Sequence, residues 1–137
     1  MTGGVVFRIA DALFFLPATI ARKVLPMPGV ARVPGAPEEL VGVALVEGEM
    51  IPVVAIGPLD VRGSRRPAAS SRPRADNRPM LFCTYLGDCI GLVGLEIVAT
   101  GHFEAPDPEH VVHEGVAATL FDVGAVVARL SEGRWAV

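Results

Sequence analysis

Apolar positions in this chain come in short bursts, not in a sustained helical rhythm. Val5–Ile9 and Leu13–Leu16 flank Ala10-Asp11-Ala12 and read as two strands joined by a turn. Thr19–Leu25, after Pro17, fits a short helix or an irregular strand equally well, because seven residues do not resolve the period. Pro26, Pro28 and Gly29 end it, and Val30–Val33 reads as a short strand. Glu38–Leu40 suits one helical turn, with its acidic pair at the N-terminal end. The strongest pattern follows, with apolar runs Leu40–Val46 and Met50–Ile56 around Glu47-Gly48-Glu49. Gly48 takes positive φ without steric cost, so the pair predicts a tight hairpin. Pro52 lies inside the second run and cannot donate to a ladder, which places it at an edge, a bulge or a solvent-facing side.

From Pro58 to Pro79 the pattern stops, and Arg, Ser, Pro and Ala replace the large apolar residues. Such a segment buries too little surface to offset the entropy of ordering, which predicts a mobile loop over 60–79. Met80–Leu86 and Cys89–Val93 form a second predicted hairpin across Gly87-Asp88, and Leu95–Thr100 a further strand. His102–His110 reads as a connection rich in proline and acid, after which Val111–His113 pairs with Val116–Phe121 across Glu114-Gly115. Asp122 is a good N-cap for a short helix over 122–130, with Gly133 just past its end. Many short strands, glycine-bearing turns and little helix specify a small-barrel, all-β architecture within one domain, 1–137.

The stretch Val33–Gly57 (V-P-G-A-P-E-E-L-V-G-V-A-L-V-E-G-E-M-I-P-V-V-A-I-G) resembles the signature of the CheW-like family, whose members couple chemoreceptors to a histidine kinase. The ending L-F-D-V-G-A-V-V is similar to the strand-then-helix close of that family. The resemblance implies two small SH3-like five-stranded barrels side by side with a hydrophobic groove between them. It places residues 1–59 mainly in the first barrel, 60–79 as the joining loop and 80–121 mainly in the second. The second barrel then reads as short, since only twelve residues separate Phe103 from Val116. Gly94 stands where the family pattern carries Asp, a departure from it.

Function, by the same resemblance, is non-catalytic scaffolding between a chemoreceptor cytoplasmic tip and the regulatory domain of a CheA-type kinase. Helix-in-groove recognition uses aliphatic pockets and a few rim charges. The candidates are Ala21, Val24, Val43 and Leu45, each of which core packing alone would also explain. Lys23, Glu47 and the hairpin Gly48 complete the set. The family carries Arg before the hairpin glycine and Glu near Lys23, so both signs are swapped here. Lys23 and Glu47 are therefore expected to pair, with charged atoms within about 4 Å.

Composition changes this picture in three places. Hydrophobic residues make up 51 % of the chain, enough for a core, and a single Trp and single Tyr make that core aliphatic. Net charge is −3, but residues 61–79 hold six Arg and one Asp, a local +5 that leaves −8 on the rest. A basic insert on an acidic body admits a rival reading, a binding module for nucleic acid or anionic lipid. Its binding would be salt-dependent and lost on deleting Gly63–Arg78. The insert has no interleaved aromatic residues, so nucleic acid is not the expected partner. A third reading is a divergent adaptor that keeps the receptor and has lost the kinase.

No apolar run reaches the ~18 residues of a membrane helix. The nearest, Ala12–Ala21, is broken by Pro17 and preceded by Asp11, which argues against a secretion signal and for a cytoplasmic protein without membrane insertion. Cys83 and Cys89 read as reduced thiols. His110 and His113, beside Glu109 and Glu114, share a helical face only if the segment is helical, and the intervening valines argue for strand. No metal, no cofactor and no catalytic residue is expected, and the chain is expected to be a monomer or to self-associate weakly.

Overall fold

The computed structural model describes residues 1–35, 39–57 and 79–132. These form ten strands: β1 Thr2–Ile9, β2 Ala12–Pro17, β3 Ala21–Pro26, β4 Leu40–Val46, β5 Glu49–Ala55, β6 Pro79–Tyr85, β7 Asp88–Val93, β8 Glu96–Asp107, β9 His110–His113 and β10 Val116–Leu120. One helix follows, α1, Val123–Glu132. The fold is all-β with a short terminal helix. The 60–78 part of the expected loop lies outside the described residues, as does Glu38 of the expected helical turn.

Five strands close a barrel in the order β1-β2-β10-β9-β8. The other five form a sheet in the order β3-β6-β7-β5-β4. The chain beyond β3 curls back over β4, where Ala31 N donates to Val43 O (2.8 Å) and Val43 N to Ala31 O (2.9 Å). That bridge joins the two ends of the central sheet. The expected division into successive barrels, 1–59 and 80–121, is corrected: the first barrel takes strands from both ends of the chain, and the second lies between them. The physical reason is length. β9 and β10 have four and five residues, too few to close a barrel with β8 alone. β1 against β8 and β2 against β10 supply the missing wall, so the barrel that looked truncated is complete.

Of the two readings open for Thr19–Leu25, the irregular strand is the one that forms: Ala21–Pro26 ladders against Pro79–Cys83 with a bulge between Ala21 and Lys23. One smaller correction concerns β8. His102–His110 is mostly extended, because β8 runs on to Asp107. Its last four residues are exposed, which removes the apolar alternation by which a strand is recognised.

The apolar bursts are continuous rather than alternating because the facing walls are buried on both sides. On β1, Val6 points into the terminal barrel, beside Phe15, Phe103, Val111 and Ala118, while Val5 and Phe7 point toward the central sheet. On β6, Met80 and Phe82 fill the central sheet's own core, and Leu81 and Cys83 face the terminal barrel. The layer between the two holds Leu16, Val54, Leu81, Ile90, Leu92 and Val123 of α1. With a period of two, adjacent strand residues enter different cores.

Three tight turns follow one rule. Glu47-Gly48, Leu86-Gly87 and Glu114-Gly115 all have positive φ at both residues (51° and 85°, 50° and 87°, 52° and 79°). That is the type I′ geometry whose twist matches flanking strands. Pro52 sits opposite Val43 on β4. Val43 spends its own N–H and C=O on Ala31, so the pair needs no donor from proline. Gly94 also has a structural explanation. Its φ is +88°, and a Cβ there would come within 2.7 Å of the Gly57 carbonyl. The Asp of the family pattern would not fit without moving that strand end.

Candidate functional site

The candidate residues gather where β3, β4 and the Glu47-Gly48 turn meet. Lys23 Nζ donates to Glu47 Oε2, so the expected ion pair forms across the seam of the central sheet. Both side chains remain about half exposed (43 % and 58 %), so the pair is screened by solvent. Alternation on β4 buries Ala44 and Val46 and turns Val43 and Leu45 outward. Leu45 is 65 % exposed and Val43 half-buried. The bulge in β3 breaks its alternation, so Lys23 and Val24 are exposed in succession. Gly48 is exposed at the turn.

Ala21 does not join them. It is buried in the layer between barrel and sheet, opposite Cys83. Met50 belongs with the group and was missed in the sequence reading. It pairs directly with Leu45 and is equally exposed, at 65 %. The signal was available, because a two-residue turn at Glu47-Gly48 sets Val46 against Glu49 and hence Leu45 against Met50.

The remaining titratable groups are dispersed. Burial pushes the Cys83 thiol up to about 12, leaving it protonated and inert. Cys89 is also raised, first by desolvation and then by the Glu49 carboxylate, which accepts from its Sγ at 3.6 Å. His110 Nδ1 donates to Asp107 Oδ1 (2.9 Å), and this bond holds the Asp107 carboxyl below its ordinary range. His113 meets the Phe103 ring edge-on at 5.8 Å between centroids. Because His110 and His113 lie three apart on a strand, they do not share a face. Among the described residues, no three His, Cys, Asp or Glu side chains gather as a metal site would require. Among them too, no helix is long and apolar enough to cross a membrane. What the surface offers is an aliphatic face with rim charges.

The sequence matches the profile of the CheW-like domain over residues 3–103. No curated protein matches it significantly. Among solved structures, the fold is similar to that of the scaffolding protein TtCheW from Thermoanaerobacter tengcongensis. That similarity has a TM-score of 0.60 and 19 % identity, and covers 88 % of this chain and 84 % of the other.

Proposed function

The chain belongs to the CheW-like family, and from that premise we propose that it is a non-catalytic scaffold coupling chemoreceptors to a CheA-type histidine kinase in a chemotaxis or motility pathway. The observation that carries this reading is the family match over residues 3–103, which takes in strands of both the barrel and the sheet. The exposed group Lys23, Val24, Val43, Leu45, Glu47 and Gly48 would serve as the partner-binding surface, with Ala21 supporting β3 from beneath. A scaffold of this kind acts in the cytoplasm by holding two partners at once. It raises their effective concentration and lets receptor state bias kinase conformation.

The test is a titration of the full chain against two partners separately: a receptor-tip fragment and the kinase regulatory domain from the same genome. Binding to both supports a coupling protein. A second reading, an adaptor that keeps the receptor and has lost the kinase, is favoured by the Lys23–Glu47 pair, whose polarity is reversed relative to the family pattern. A reversed rim charge repels a partner built for the usual polarity and suits a different one. Binding to the receptor tip alone would select that reading. Binding to neither folded partner would refute both.

A further inference from the structure

A cavity of about 220 Å³ lies between the end of β5 and α1. Val54, Ile56, Phe121 and Val126 supply its apolar walls. Phe121 is held rigid by Phe7 and Phe14, whose rings meet it edge-on with centroids 5.7 Å away. Three backbone N–H groups beside the cavity are already bonded: Ala55 N donates to Glu39 O (2.8 Å), Ile56 N to Val93 O (2.9 Å) and Phe121 N to Phe15 O (3.0 Å). Polar selection therefore falls to the two charged side chains in the lining, Glu39 and Arg129.

These two are paired with each other, Arg129 donating to the Glu39 carboxylate. Their side chains are 32 % and 66 % exposed for Glu39 and Arg129, whereas Val54 is buried, so the pair stands on the solvent side of the cavity. An ion pair in solvent is held weakly. A ligand that brings one carboxylate and one ammonium replaces it charge for charge. The Arg129 guanidinium takes the carboxylate through two parallel N–H groups, and the Glu39 carboxylate accepts from the ammonium. An α-amino acid carries both charges on one carbon, with its side chain behind them. A segment of polypeptide does not, because its amine and carboxylate are tied up in peptide bonds. An apolar void of about 150 Å³ accepts benzene, so this one has room for a phenyl side chain. Such a ring meets Phe121, a wall that favours aromatic contact.

We propose that this cavity binds a free α-amino acid with an apolar, preferably aromatic, side chain, through exchange of the Glu39–Arg129 pair for the ligand's two charges. The proposal goes beyond the coupling role, and its test uses neither receptor nor kinase. The probe is L-phenylalanine, titrated into the full chain while backbone amide shifts are followed by NMR. Phenethylamine, which lacks the carboxylate, and 3-phenylpropionate, which lacks the ammonium, are the controls. L-Phenylalanine should move Glu39, Ala55, Ile56, Phe121, Val126 and Arg129 saturably. Each control should bind at least about tenfold more weakly, the loss expected of one charge-assisted bond. Arg129→Gln should weaken L-phenylalanine by a similar factor and leave phenethylamine unchanged. Glu39→Gln should do the reverse, sparing 3-phenylpropionate. Both substitutions are on the solvent side, so the variants should fold, and their unperturbed spectra check that they do. Val126→Phe fills the cavity from α1 and should abolish binding with both charges kept; if that variant misfolds, the two charge variants decide alone. The proposal is overturned by the absence of saturable shifts at millimolar L-phenylalanine, by shifts centred elsewhere, by equal binding of the three compounds, or by indifference to either charge substitution.

Discussion

Lys23 and Glu47 meet across a seam, yet both stay in solvent, so the bond between them contributes about 0–1 kcal/mol. Its sign matters more than its strength. Exchanging the two, Lys23→Glu with Glu47→Lys, should leave the urea midpoint almost unchanged while altering affinity for the receptor tip in the same titration series. A loss of several kcal/mol would show that the pair is structural instead. Leu86 gives the converse case, a residue whose backbone sets its effect. At φ 50° a leucine is strained, whereas Asn tolerates the left-handed region. Leu86→Asn should therefore raise stability by about 0.5–1 kcal/mol in urea unfolding. Cys83 carries a pH dependence. Its folded pKa of about 12 lies above the ordinary thiol value, so the folded state keeps its proton at a pH where the unfolded state has lost it. Its contribution is full below pH ~9 and falls as pH rises toward 12, by up to about 1.4 kcal/mol per unit. Stability measured from pH 8 to 11 should decline less steeply in Cys83→Ala than in the native chain.

Strands and hairpins were legible in the sequence because their signals are local. Glu47-Gly48 and Glu114-Gly115 announce their turns, and runs such as Met80–Cys83 suit extended chain buried on both faces. What escaped was whatever lacked an apolar signature: the exposed end of β8, and Met50, whose role follows only from register. Ala21 was misplaced for a different reason: the bulge between Ala21 and Lys23 sets two positions of the same parity on opposite faces, Lys23 outward and Ala21 inward. The two-faced strands also decide where substitution is costly. Leu81 and Leu92 are fully buried between barrel and sheet, and truncating either to Ala should cost about 2–5 kcal/mol. Leu45→Ala, on an outward position of β4, should stay within about 0.5 kcal/mol. Denaturant midpoints of the three variants would separate burial from mere hydrophobicity.

At the scale of the molecule, the interleaving of barrel and sheet was the least legible feature, because it rests on pairings no local pattern encodes. Val5 pairs with Thr100, and Phe14 with Thr119, across most of the chain. Closing such loops costs entropy that grows only slowly with length, so burial of β1 and β2 against β8 and β10 outweighs it. The consequence is that neither half of the sequence contains a complete folding unit. A fragment of residues 1–57 has β1 and β2 without their barrel partners, and β3 to β5 without β6 and β7. A fragment of residues 79–137 has the complementary deficit. Each alone should show no cooperative thermal transition. Mixed in equal amounts, they should recover strand circular dichroism and a single melting transition that both fragments share. Two successive, self-contained barrels would instead let at least one fragment melt cooperatively by itself. A lone cooperative fragment would thus refute the interleaved topology, and with it the two-faced layer of Leu16, Leu81 and Leu92 that binds barrel to sheet.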